Sequence, residues 1–232
     1  MTMNFPEQLA RSTAPDREFL LSAPVIQRCL AGEVTRELYV AFLTQAYHHV
    51  RHTVPLMMAV GARLPDRHGW LREAVLHYLE EEAGHDEWIL NDIGHSGGDR
   101  VAAAASTPAI ATEAMIAYAY DTVMRRNPVG FFGMVHVLEG TSVALALQAA
   151  DRIQQALALP GRAFSYLRSH GELDKEHVNH LAAILERFAD EEDRAAVTRC
   201  ARGIYWLYGQ MFRGLETAVP VLSTPSAERR TA

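Results

Sequence analysis

Apolar residues recur at intervals of three and four through nearly all of this 232-residue chain, and no strictly alternating run sits between hairpin turns. The period is helical and predicts an all-α protein. A first helix is expected over Asp16 to Leu30, ending near Gly32, and a second from its cap Thr35 through to Pro65, kinked or ended midway by Pro55. A third is expected from His68 to Ile93, closed by Gly94 and the Gly97-Gly98 pair; the VAAAASTP stretch after it is expected to be a loop leading to Pro108. A fourth helix then spans Pro108 to Arg126. The fifth starts at Pro128 and continues to the Pro160-Gly161 pair. The sixth covers Gly161 to Phe188 with an irregularity at Gly171, and the seventh opens on the acidic residues 191–193 and runs to Ala218. No composition shift marks a linker. The expectation is one domain over residues 1–232, a seven-helix bundle with its core in 16–219 and a frayed tail at 220–232.

Composition narrows the class. Hydrophobic residues make up 49% and charged residues 22%, which excludes disordered, collagen-like and low-complexity chains and leaves an ordinary globular domain. The net charge is −6, and no basic run is longer than the pairs Arg125-Arg126 and Arg229-Arg230. Nucleic acid and acidic membranes therefore find no electrostatic footprint, and a small-molecule partner is expected. The opening MTMNFPEQLARST lacks an apolar leader core, and nowhere are about 18 apolar residues uninterrupted, so a cytoplasmic protein is expected. Cys29 and Cys200 are far apart in apolar helical surroundings; both are taken as small core residues, outside any disulfide framework or thiolate zinc site.

Polar residues set against this apolar background carry the chemistry. In YLRSHGELDKEHVNHL, the spacing His170-x3-Asp174-x2-His177 places three metal-ligating side chains on one helical stripe, within about 60° of one another. His180 extends the stripe by a turn, as a packing residue or a support to the ligands. On the predicted third helix, Glu82 and His85 lie about 60° apart on one face, with Glu81 about 40° from His85 on the other side. Either glutamate is able to share a metal with His85; the alternative is a solvated charge run beside a surface histidine. Glu139 stands as the one acid in some twenty mostly apolar positions. A buried carboxylate costs several kcal/mol unless a cation or strong donors accompany it.

Carboxylates with neutral imidazoles suit redox iron or manganese, whereas structural zinc favours thiolates. Iron is the leading expectation, with manganese or zinc as substitutes. Glu82-x-x-His85, Glu139 and Asp174-x-x-His177 supply three of the four elements of a four-helix carboxylate diiron plan. The fourth is missing, because the second helix has no carboxylate after Glu37, while His170 appears as an extra ligand. That helix instead carries His48, His49 and His52, of which at most one is expected to touch substrate or metal. Gln45, His49, His52, Phe132 and Tyr205 are candidate cavity-lining groups. His136 is expected to be a core histidine or a support to the ligands, and Asp92 is placed to orient His85.

On EEEAGHDEWILND, the mid-helix Glu139 and SHGELDKEHVNHL, the chain resembles the haem-oxygenase-like diiron oxidases, in the superfamily of thiaminase II and the pyrroloquinoline-quinone synthases. The resemblance covers most of the chain in helix order. It implies a haem-oxygenase-like bundle, two irons per chain, and Glu82, His85, Glu139, His170, Asp174 and His177 as their ligands, with Glu81 an alternative to Glu82. It further implies oxidation of a small organic substrate by dioxygen, the substrate being an amino acid, an amine or a fatty-acid-like molecule. An electron donor and a homodimer are compatible with it. Thiaminase II would require a nucleophilic cysteine on the helix of Glu139 and an aspartate on the second helix, and neither is present. A haem oxygenase needs one proximal histidine and leaves the inward acids unexplained. A metal-free quinone-synthase-like enzyme and a non-enzymatic metal-binding protein are the remaining alternatives.

Overall fold

In a computed structural model the fold is described for residues 3–218; the side chains of 172–176 and 216–218, and the whole of 219–232, lie outside the described residues. The expected frayed tail falls there. The N-terminal region holds three short helices, α1 (Phe5–Ser12), α2 (Ala14–Leu21) and α3 (Pro24–Leu30). They replace the expected single helix over Asp16 to Leu30. Pro15 and Pro24 each take a first-turn position, where a missing N–H costs nothing, and Ala23 before Pro24 is extended at ψ 127°. The sequence reading missed α1, although Asn4 and Glu7 form a reciprocal capping box.

The second expected helix is two, α4 (Arg36–Val50) and α5 (Thr53–Arg63). Thr35 caps α4 by accepting from the Leu38 N–H, and the break falls shortly before Pro55. The third is also two, α6 (Leu71–Glu82) and α7 (His85–His95). Gly84 causes this break. Its φ of 89° lies in the left-handed region that glycine enters without a Cβ penalty, and the preceding Ala83 is extended. The expected loop after α7 holds a further helix, α8 (Arg100–Ala105), capped by the Asp99 carboxylate on the Val101 and Ala102 N–H groups.

The long helices match expectation closely. They are α9 (Ile110–Arg125), α10 (Phe131–Leu157), α11 (Ser165–Glu186) and α12 (Glu191–Ala218), with a short turn of 3-10 helix at Pro128–Gly130 leading into α10. There is no strand among the described residues. Gly171 leaves α11 unbroken; its bare Cα lets α11 close on Leu147 of α10, where a Cβ would clash.

The helices pack around α10, which lies against α11 along much of its length and against α12 on its other side. Next to these, α4 packs on α7, α5 on α6, and α12 on α9 and α2. The segment Pro128–Leu157 is long and apolar enough to cross a membrane by length and composition, and it is the bundle's central helix, mostly buried by its neighbours. The buried apolar side chains form two clusters. The larger gathers residues of α5, α6, α9, α10 and α12, among them Leu56, Leu71, Met115, Phe132 and Ile204. The smaller joins α4, α7 and the ends of α10 and α11 through Tyr39, Leu43, Ile89, Ile153 and Phe164.

Candidate metal centre

The corner at Gly84 sets the geometry of the first cluster. Glu82 is the last residue of α6 and His85 the first of α7, so the shared helix face expected for them does not exist. The turn brings them together all the same: Glu82 Oε2 lies 3.1 Å from His85 Nδ1. His170, from the middle of α11, completes the group, and the ligating atoms of Glu82, His85 and His170 all lie within 4.8 Å of one another. The His85 and His170 rings meet edge to face at 4.7 Å. His170 Nδ1 is 3.0 Å from the Tyr166 carbonyl, which fixes the ring one turn back along its own helix. Trp88 covers the other side of His85 with ring centroids 4.1 Å apart.

A second grouping lies one to two turns further along α11. His177 Nε2 is 3.0 Å from Glu81 Oε2, and its Nδ1 is 3.8 Å from Glu139 Oε1. Glu81 and Glu82 are sequence neighbours about 100° apart on α6, so one faces His177 and the other faces His85 and His170. Each of these glutamates thus meets a histidine. Glu139 is buried, as its apolar context predicts. The side chain of Asp174 lies outside the described residues.

Burial pushes the Glu82 carboxyl upward, but the His85 hydrogen bond and the nearby imidazoles of His170, His85 and His177 outweigh it and hold the group below the usual carboxylate range. The cavity at this point is lined by Glu82, Glu139 and His170, with His49, Tyr166 and Tyr208. No lysine or arginine lines it among the described residues. Three acids converge with imidazoles as their close basic neighbours. A divalent cation fits this donor set, because it matches the charge and prefers mixed carboxylate and imidazole ligands.

Of the three histidines near the end of α4, one reaches the cavity. His49 is fully buried, and neither ring nitrogen has a hydrogen-bond partner among the described residues. Burial, then the neighbouring His170, drives its pKa down to about 3, so its ring is neutral. His48 pairs with the Ser106 hydroxyl at 2.9 Å and His52 with the Tyr120 hydroxyl at 3.2 Å; both hold the fold. Several expected cavity residues prove structural. Gln45 accepts from the Ala109 N–H and the Thr112 hydroxyl, tying α4 to the start of α9, and Phe132 belongs to the larger core cluster.

Asp92 does not orient His85. Its carboxylate accepts from the Ser165 hydroxyl and N–H and from the Tyr166 N–H at 2.8 Å, so it binds the first turn of α11. That bond fastens the helix of His170 and His177 to the helix of His85. Burial nonetheless leaves the Asp92 pKa raised. Tyr166 and Tyr208 are cavity residues that sequence reasoning missed, because an inward tyrosine has the same periodicity as any core aromatic. His180 is exposed, with its ring near His77 and Tyr78.

His136 and Tyr205 face a different cavity beside α2, together with Arg17 and Gln27. Their rings meet edge to face at 6.2 Å, and burial lowers the His136 pKa to about 4. Cys200 is buried, as expected, and Cys29 is half-buried beside an apolar cleft. Burial raises their pKa values to about 12 and about 11 respectively, so both are protonated thiols, and neither lies on the helix of Glu139.

Fold and centre together define a helical protein that gathers carboxylates and imidazoles in its interior. A family model described as iron-containing redox enzyme matches residues 40–209, and the chain belongs to that family. Comparison with curated proteins gives no match. Among solved structures, a domain of unknown function with a heme oxygenase-like fold from Shewanella denitrificans is 24% identical, with a TM-score of 0.84 and all of each chain covered. A TenA homologue from P. horikoshii is 10% identical at a TM-score of 0.77, covering 94% of this chain and 100% of its own. Heme oxygenase-1 from the cyanobacterium Synechocystis, solved with heme, is 15% identical at 0.71, covering 93% and 94%. These likenesses establish a heme oxygenase-like fold.

Proposed function

We propose that this protein is a non-haem iron oxidoreductase that uses dioxygen to oxidise a small organic substrate at a two-iron centre. The ligands in this reading are Glu82, His85, Glu139, His170, Asp174 and His177, with Glu81 beside His177. The observation that carries it is the convergence of Glu81, Glu82 and Glu139 on three histidines, with no lysine or arginine lining the cavity among the described residues. Bound iron supplies the redox equivalents and the open coordination positions that dioxygen chemistry requires.

The chain's own groups supply the rest. Asp92 holds α11 against α7 so that His170 faces Glu82 and His85. The Tyr166 carbonyl fixes the His170 ring, and Trp88 shields His85 from one side. The core helices enclose the centre in a low-dielectric interior, where charges interact strongly. Dioxygen, an organic substrate and an electron donor are the partners that follow.

Anaerobic addition of Fe(II) to metal-free protein tests the reading. Two irons per chain are expected, with oxygen consumption once substrate is supplied. Protein that takes up no iron contradicts it and favours a metal-free enzyme; protein that binds iron without consuming oxygen favours a static metal site.

A further inference from the structure

Beside the centre, between α3, α4, α10 and α12, lies an apolar cleft open at one end. Its walls include Val25, Ile26, Leu38, Phe42, Leu145 and Phe212, and no acidic, lysine or arginine side chain lines it among the described residues. The cleft adjoins the metal-centre cavity: Ser142, Tyr166, His170 and Tyr208 line both spaces. The combined space is apolar at one end. At the other it holds the ligand cluster and His49, a buried imidazole with no hydrogen-bond partner for either ring nitrogen among the described residues.

A buried polar side chain without a partner is destabilising and is kept where something else supplies the bond. His49 has one donor and one acceptor nitrogen. It lines the cavity with Glu82 and His170 but lies outside their ligand cluster. A substrate head group delivered along the cleft would meet it there. Apolar walls with a few convergent polar groups are the usual form of a small-molecule site.

We propose that the cleft is the substrate-tail pocket, that the substrate is a chain-like molecule with an unbranched apolar tail and one small polar head, and that His49 hydrogen-bonds the head. A molecule with a charge at its far end, such as a free diamino acid, would leave that charge without a partner among the described residues of the cleft wall. The proposal rests on the iron reading for where the head lies. The tail pocket itself stands on the cleft.

The test is calorimetric titration of the purified full-length protein with hexanol, octanol and decanol, with lysine as the charged comparison. Each added methylene should tighten Kd about fourfold, the fold-change expected for burying one such group, and lysine should bind more weakly than octanol. A flat series, or lysine binding as tightly as octanol, overturns the proposal. Ala149→Phe narrows the cleft and should abolish decanol's advantage over hexanol. Leu145→Phe repeats the test if that variant does not fold, and an unaltered series in a folded variant places binding elsewhere and overturns the proposal. His49→Phe should weaken decanol about fivefold while keeping the increment per methylene; unchanged affinity removes His49 from the proposal. Iron uptake measured on the same samples separates the two readings. Iron bound with a flat series defeats the cleft alone, and a normal series without iron defeats the metal reading alone.

Discussion

Two cavities flank α10, and its residues 136 and 139 face different ones. Glu139 joins the centre, where α6 and α11 bring Glu81, Glu82, His170 and His177 toward it. His136, less than a turn away, lies beside α2 and α12 with Arg17, Gln27 and Tyr205. Both cavities hold a histidine and polar neighbours. The difference lies in what the opposing helices supply: several acids and imidazoles on one side, a single glutamate, Glu18, beside the Arg17 guanidinium on the other. A cation is attracted to the uncompensated acids of the first, whereas Arg17 offsets the one acid of the second. Convergence of ligands from several helices, more than the presence of histidine, marks a metal centre.

The contrast breaks most visibly under ligand removal. His170→Ala should weaken Fe(II) binding by about a hundredfold or more, since loss of mere supporting partners already costs 10–100-fold, whereas His136→Ala should leave iron uptake unchanged. Equal losses, read by anaerobic titration, would erase the distinction between the cavities. The next effect concerns the clamp between α7 and α11. Asp92→Ala strands two N–H groups and a hydroxyl and should destabilise the fold by about 3 kcal/mol in denaturant unfolding.

The pH dependence sharpens the other side. Folded His136 takes a proton only below about pH 4, whereas an unfolded histidine does so below 6.5. Between those values the unfolded state holds the extra proton, so stability declines as pH falls from 6.5 toward 4, and above 6.5 His136 imposes no such loss. His136→Gln should therefore lose less stability than the wild type between pH 7 and about pH 5, by roughly 1–2 kcal/mol. Identical slopes would show that His136 is solvated. The smallest effect is at the corner of the centre. Gly84→Ala places a Cβ at φ 89° and should cost about 1 kcal/mol, with weaker iron binding because Glu82 and His85 lie on either side of the turn.

Much of the centre was legible in the sequence because helical periodicity decides which residues share a face. His170 and His177 lie two turns apart on α11 and reach the two groupings, and Glu139 is buried as its apolar setting predicts. The break at Gly84 was not legible. A glycine within a periodic run is tolerated in a helix or ends it, and only packing decides which. The same break brings His85, the first residue of α7, back to Glu82, the last of α6. In α8 the alanines give no periodicity, although Asp99 is a strong cap. Asp92 bonds Ser165 and Tyr166 across more than seventy residues, and no local pattern announces such a pairing.

The central claim is that Glu82, His85, Glu139, His170, Asp174 and His177 form one iron centre. Its most direct test is iron stoichiometry by anaerobic Fe(II) titration with Mössbauer detection, comparing wild type with Glu139→Ala. The account predicts two irons per wild-type chain and a reduced count, with an altered spectrum, in the variant. A wild-type protein that binds none, or a variant identical to it in count and spectrum, would contradict the account.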